Sequence, residues 1–345
     1  LKKTILFFLL FFEITTVTYA QEINFEKQID FLLSIKTKKT FNGIILITQN
    51  GKAKYHKTFG YSDLNTKEPL NFADQFVIGS ISKQFTAVLV LREFDKGHLE
   101  LFTPIRKYLP ELKQNWADTI TIHQLLTHTH GIVQLDKPTI FRPGTEYAYS
   151  QIGYDLLAKI IEKTSGKSFV TLSKDLFIKC GMKYTFHPDS KNYKNLVKGY
   201  TEDEDDKIVL ENNSLQNYVA AGAFISNCTD LNLWNEQFYG GKLLKKETME
   251  MLEKKQKNAI RNHPIFGATD YGYGITIDNK EELLQFGQTG YCPGFVSMNF
   301  YFPKTRTSLI MFESIAYDTD KIKKTFYYHT EILKILRNEL KKSQY

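Results

Sequence analysis

Segments with the period of a β-strand lie near both ends of this 345-residue chain and enclose a long stretch with the period of helices. A sheet assembled from such a chain has to join its two ends and carry the middle as one insertion. Toward the amino end, Ile29, Leu32 and Leu33 recur at helical spacing, and the runs Gly43 to Thr48 and Ala53 to Phe59 flank Asn50-Gly51, a pair suited to a hairpin turn. Toward the carboxyl end, strand-like runs return at Leu283 to Phe286, Phe295 to Phe302 and Thr307 to Phe312. Lys then alternates with apolar residues at helical spacing from Ile322 to Leu340, a helix expected to pack on the sheet, with a membrane-surface helix as the lesser alternative. From about Ser80 to Gly181 the pattern is mostly helical, and Gly153 to Lys163 stops at Ser165-Gly166, a suitable C-terminal cap. Residues 186 to 217 are polar, and Glu202 to Asp206 reads as a solvated acidic loop because its spacing does not fit an EF-hand. The expected fold is α+β: an antiparallel β-sheet flanked by terminal helices, with an all-α inserted subdomain. The α/β part runs from about 21 to 75 and 218 to 345, and the insertion from about 76 to 217, within a single domain.

Hydrophobic residues make up 42% of the chain and charged residues 24%, enough to build a large core, which excludes disorder and fibrous repeats. The net charge of +7 comes from 39 Lys and 6 Arg against 38 acids, and the lysines are scattered. Without clustered Arg or a recognisable module, no nucleic-acid partner is expected. Residues 1 to 20 have the parts of a secretory signal: Lys2-Lys3, an apolar run from Ile5 to Phe12, and Thr18-Tyr19-Ala20 before Gln21. That run is shorter than the ~20 residues needed to span a bilayer, and no Cys lies near the cleavage point to take a lipid. An exported protein, periplasmic or secreted and without a stable membrane anchor, is the expectation. Cys180, Cys228 and Cys292 are too few for a disulfide framework; the first two read as core residues, and Cys292 sits in a Gly/Pro turn with no evident activating base.

Several catalytic signatures are missing: no Gly-x-Ser-x-Gly elbow, no Gly-x-x-x-x-Gly-Lys loop and no Gly-x-Gly-x-x-Gly. What stands out is Ser80-Ile81-Ser82-Lys83. Composition alone would give about one or two Ser-x-x-Lys pairs, and only this one occurs. Gly79 precedes it and the apolar run Phe85 to Leu91 follows, which places Ser80 at the first turn of a buried helix with Lys83 on the same face. A hydroxyl beside a desolvated amine, at the positive end of a helix, is a nucleophile with a means of activation. The competing reading is an N-terminal serine cap followed by a surface lysine. His123, His128 and His130 invite a zinc site, but no His-Glu-x-x-His or matching carboxylate accompanies them, and neither metal nor cofactor is expected.

Further segments tip the balance toward chemistry. Phe41-Asn42-Gly43, Gly97 to Leu101 running to Tyr108-Leu109-Pro110, Thr121 to Ile132, Pro143-Gly144, Tyr149 to Tyr154, Cys180-Gly181-Met182, Ala221 to Trp234, Tyr271 to Gly274 and Gln288-Thr289-Gly290 follow Ser80-Ile81-Ser82-Lys83 or flank it in a set order. In these the chain resembles the serine β-lactamase and penicillin-binding-protein superfamily, over roughly residues 25 to 335. Within it the likeness is to the class C β-lactamase-like branch, with its D-Ala-D-Ala carboxypeptidases, D-aminopeptidases and esterases. The resemblance implies a β-lactamase/transpeptidase-like fold and a serine hydrolase with Ser80 as nucleophile, Lys83 and Tyr149 sharing the proton work, and the backbone N–H groups of Ser80 and Tyr291 as the oxyanion hole. Gln151, Gln288, Thr289 and Gly290 become substrate-binding positions.

Two residues depart from the family pattern. Gln151 replaces Asn and is one methylene longer, which puts its contacts to substrate and Lys83 in doubt; Gln288 replaces a Lys or His and carries no charge, although it retains the capacity to hydrogen-bond Tyr149. Neutral esters or amides are therefore expected over substrates with a carboxylate beside the scissile bond, unless Arg306 or a loop Lys supplies the missing cation. The function expected is an exported hydrolase of an ester or amide, taking a small-molecule or peptide substrate. A β-lactamase or D-Ala-D-Ala carboxypeptidase, a catalytically weakened binder of cell-wall fragments, and an acyltransferase stay open as alternatives. The leader makes its own test: the intact mass of exported material is expected to correspond to a chain starting at Gln21, and a mature chain that keeps Ile5 to Phe12 would contradict it.

Overall fold

Eight antiparallel strands form the central sheet: β1 (Gly43–Gln49), β2 (Lys52–Phe59), β3 (Ile260–His263), β4 (Gly267–Tyr271), β5 (Thr276–Asp278), β6 (Gln285–Cys292), β7 (Phe295–Phe302) and β8 (Thr307–Glu313). Their spatial order is β2-β1-β8-β7-β6-β5-β4-β3, so the two ends of the chain meet where β1 pairs with β8. The computed structural model describes residues 25–342 except 36, 38, 204, 206, 213, 214, 216 and 318. The leader proposed for residues 1 to 20 lies outside the described residues.

Both faces of the sheet are covered, which is why its central strands read as unbroken apolar runs rather than as alternation. Side chains along a strand point to opposite faces. Ile44 and Leu46 accordingly join one core with Phe76, Phe85 and Phe312, while Ile45 and Ile47 join a second core with Phe25, Ile29 and Leu336. The second core lies under the terminal helices α1 (Phe25–Ser34) and α6 (Tyr327–Lys342). The expected carboxyl-terminal helix thus packs its Ile332, Leu333, Leu336 and Leu340 against the sheet. Among the described residues no helix is long and apolar enough to cross a membrane.

The larger core contains the remaining long helices: α2 (Ser82–Asp95), α3 (Gln151–Ser165), α4 (Phe169–Cys180) and α5 (Cys228–Phe238). Every residue from Ser82 to Leu91 is buried, as befits a helix packed on all sides. Helix α3 ends at Gly166, whose φ of 69° is the left-handed cap expected of Ser165-Gly166. Cys180 and Cys228 are buried and unbridged, and burial pushes both thiols up, Cys180 to about 11.

Two segments differ from the sequence reading. The polar stretch 186 to 217 contains a small ribbon, Tyr200–Glu202 paired with Ile208–Leu210, and Glu202 is not solvated: it is buried, with Lys321 at 3.0 Å and Lys324 at 2.7 Å. The hairpin of β3 and β4 was not legible, because an edge strand of Ile-Arg-Asn-His has no strong apolar alternation.

Where the ends of the chain meet, the fold encloses an ion cluster. Lys39 donates to Glu313 Oε1 at 2.8 Å, and His329 Nδ1 lies 3.0 Å from the same oxygen, all three residues being buried. Burial lowers the pKa of Lys39 and of His329, and Glu313 works against that in both. Removing one partner strands a charge in the interior. Glu313→Leu is therefore expected to cost about 3–5 kcal/mol in urea unfolding, with the double variant Lys39→Met/Glu313→Leu recovering much of it. A single-variant loss under about 1 kcal/mol would contradict a paired interior charge.

Candidate active site

The chain enters the site through the short strand Phe76–Val77 and turns at Gly79, whose φ of +51° is costly for any other residue. Ser80 sits in the following 3₁₀ turn, Gly79–Ile81, one turn ahead of α2 rather than within it. Strand β6 presses on this turn at the backbone: a Cβ on Gly79 would lie 2.6 Å from the Tyr291 nitrogen, and one on Gly290 would collide with the Ile78 carbonyl oxygen and Ser297 Oγ. Ser297 clamps the contact by donating to the Ile78 carbonyl at 2.7 Å. Two glycines thus bring the amides of Ser80 and Tyr291 together, the pair expected to face an oxyanion. Of the two serines in the motif, Ser82 is fully buried and accepts the Phe224 N–H at 3.2 Å, whereas Ser80 keeps some exposure.

Lys83 is fully buried, and its Nζ donates to Ser80 Oγ at 3.2 Å, to Gln151 Oε1 at 2.7 Å and to the Ala221 carbonyl at 2.8 Å. An ammonium has three donors, and here each meets a neutral acceptor. Burial lowers the Lys83 pKa; the Tyr149 phenol beside it acts in the opposite sense. The Tyr149 ring has two cations on it, Lys83 Nζ at 4.6 Å and the Arg261 guanidinium carbon at 4.4 Å from the centroid. Its hydroxyl is buried and forms no hydrogen bond of good geometry among the described residues. Burial alone would raise the phenol pKa, but Lys83 and Arg261 outweigh it and Ser80 adds to them, so the value falls below the ordinary 10.

The structure brings Ser80, Lys83, Tyr149 and Gln151 together, and the longer Gln151 retains its contact to Lys83 from the first position of α3. Gln288 is placed differently from expectation. It is fully buried, its oxygen accepts from Arg261 Nη1 at 2.6 Å and its amide nitrogen donates to the Tyr271 hydroxyl at 3.1 Å, so both ends are held by protein rather than by Tyr149. Thr289 is buried with its hydroxyl 3.0 Å from His263 Nε2, and Gly290 serves through backbone contact. The cation sought in Arg306 is elsewhere, since Arg306 pairs with Glu236 at 3.4 Å. The charge comes from Arg261 on the unforeseen strand β3. No motif surrounds Arg261, and one Arg on a polar strand carries no signal that sequence reasoning could have used.

The histidines do not converge on a shared point. The Nδ1 atoms of His128 and His130 accept the backbone N–H groups of Ser150 and Ile132, which fixes both rings as neutral Nε2–H tautomers, and His123 Nδ1 is 2.8 Å from the Tyr273 hydroxyl. Burial lowers the His128 pKa well below its usual range, with Lys83 adding to the effect. Among the described residues no three side chains are grouped to hold a metal. Beside the site, a cavity of about 750 Å³ lies between α3 and residues 218–220, lined by Leu135, Ile152, Phe169 and Tyr218, with Asp155 raised to about 6 by burial.

Comparison with known proteins agrees with this geometry. The Beta-lactamase family profile matches residues 35–333. Penicillin-binding protein 4* of Bacillus subtilis (strain 168) is 26% identical over 324 residues, covering 82% of this chain and 70% of that protein. In structure, the D-amino acid amidase of Ochrobactrum anthropi SV3 matches with a TM-score of 0.80 at 19% identity, over 93% of this chain and 100% of that one. The octameric penicillin-binding protein homologue of Pyrococcus abyssi matches with a TM-score of 0.71 at 24% identity, over 85% and 74%.

The backbone contact at Gly290 has a direct consequence. Gly290→Ala is expected to slow fluorophosphonate labelling by about 100-fold, the cost of a displacement near 1 Å at a reacting group, while circular dichroism stays native. Unchanged labelling would show that β6 does not set the geometry of the Ser80 turn.

Proposed function

The chain belongs to the beta-lactamase family of serine hydrolases, and on that premise we propose that it forms an acyl-enzyme at Ser80 with small ester or amide substrates. Ser80 Oγ attacks the carbonyl carbon and gives its proton to the Tyr149 phenolate. The carbonyl oxygen takes up the negative charge and is held by the N–H groups of Ser80 and Tyr291. Collapse breaks the bond to the leaving group, which takes the proton from Tyr149, and water repeats the sequence to release the acid. Lys83 remains an ammonium throughout. The observation that supports this most is the sharing of one buried phenol by two cations beside a serine hydroxyl.

The D-amino acid amidase neighbour suggests D-amino acid amides as the amide substrates, and we extend that to simple esters. Arg261 favours a second reading, a penicillin-binding-type substrate with a free carboxylate, because only its Nη1 is bonded to protein among the described residues. The reading as a binder without turnover rested on Gln151 and Gln288, and the bond from Lys83 to Gln151 removes part of that support. Export through the leader at residues 1 to 20 belongs to the same proposal, and acyl transfer to an amine is its variant in the last step.

On a chromogenic ester, Ser80→Ala is expected to abolish turnover, and Lys83→Ala and Tyr149→Phe to slow acylation by about 10²–10⁴-fold each. In a panel of the purified protein, esters and D-amino acid amides are expected to exceed matched carboxylate-bearing peptides and β-lactams in kcat/KM. The reverse order would establish the second reading.

A further inference from the structure

Neither cation of the site meets a carboxylate within 4 Å among the described residues. Lys83 is held by Ser80, Gln151 and Ala221, and Arg261 by the amide oxygen of Gln288. Both lie over the ring of Tyr149. The other groups on that ring supply no negative charge: His128, with its centroid 4.5 Å away, has its Nδ1 occupied by the Ser150 N–H, and Tyr147, Tyr154 and Tyr271 are phenols that burial keeps neutral. Asp155 acts on Lys83 only from a distance, with no ion pair between them. Two positive charges therefore converge on one ionisable hydroxyl.

Resting on the proposed function, we infer that Arg261 is a positioning residue for acylation: held over the ring by Gln288, its guanidinium keeps Tyr149 as the anion that accepts the Ser80 proton. The third motif, Gln288-Thr289-Gly290, has lost its own cation, and the pair Arg261 and Gln288 divides that work. Strand β3 brings the charge, and the Gln288 side chain, anchored at its other end on the Tyr271 hydroxyl, fixes where the guanidinium sits. A planar guanidinium suits this arrangement, since it stacks on an aromatic face while donating in its own plane.

The sign of the effect is defined. The working form of Tyr149 is deprotonated, so kcat/KM falls as pH drops through its pKa. A nearby cation lowers that pKa by about one to three units, and removing it moves the acid limb to higher pH. The test is the pH profile of chromogenic-ester kcat/KM for wild type, Arg261→Met, Arg261→Lys and Gln288→Met. Arg261→Met is expected to shift the acid limb up by about one unit or more, with activity at pH 7 reduced at least tenfold and regained above the new pKa. Arg261→Lys is expected to keep the limb within about half a unit, and Gln288→Met to shift it in the same direction as Arg261→Met but less. Arg306→Met, which removes a distant charge, is expected to leave the profile unchanged. In a Tyr149→Phe background Arg261→Met is expected to have no further effect.

A uniform loss across all pH values in Arg261→Met, or an unmoved limb, would overturn the role of Arg261 while leaving the acyl-enzyme reading intact. Ester turnover that persists in Ser80→Ala would overturn that reading instead, and this inference with it.

Discussion

Lys83 carries its amino group fully inside the protein, and the elements around it are arranged by the need to give that group hydrogen-bond acceptors. An ammonium taken out of water costs several kcal/mol unless its donors are satisfied. Three separate pieces of chain meet that demand: the turn carrying Ser80, the first residue of α3 through Gln151, and the carbonyl of Ala221. None brings a formal charge. The positive field is therefore left uncompensated, and it falls on the phenol of Tyr149. A carboxylate in place of Gln151 would have paired with Lys83 and removed the field that acidifies the phenol.

The second constraint is steric rather than electrostatic. The Ser80 turn and strand β6 touch through backbone atoms, and Gly79 and Gly290 are the residues that allow it. Because the amide of Tyr291 is brought in by this contact, the oxyanion-binding geometry does not depend on the side chain at 288. That position was free to exchange a cation for Gln288 provided another residue restored the charge. Arg261 does so from the edge of the sheet, and Gln288 became the bracket that holds it.

Much of this was legible in the sequence because burial leaves periodic traces. Strands covered on both faces appear as runs such as Gly43 to Thr48, the hairpin announces itself at Asn50-Gly51, and α3 ends where Ser165-Gly166 says it should. The helical spacing of Ser80 and Lys83 carried through to a hydrogen bond even though Ser80 lies in a 3₁₀ turn. What escaped was set by tertiary contact alone. Edge strand β3 is too polar to show a period, so Arg261 could not be told from Arg306 as the source of the missing cation. Glu202 reads as one more acid in a charged run, and only the fold places Lys321 and Lys324 around it.

The central claim is that Ser80, and no neighbouring nucleophile, carries the acyl group. Peptide mapping by mass spectrometry of protein reacted with a slowly released activated ester tests it most directly. The account requires a single adduct on Ser80, formed more slowly as pH falls. An adduct on Ser82, whose hydroxyl is engaged by the Phe224 amide, or on Cys292, would contradict it.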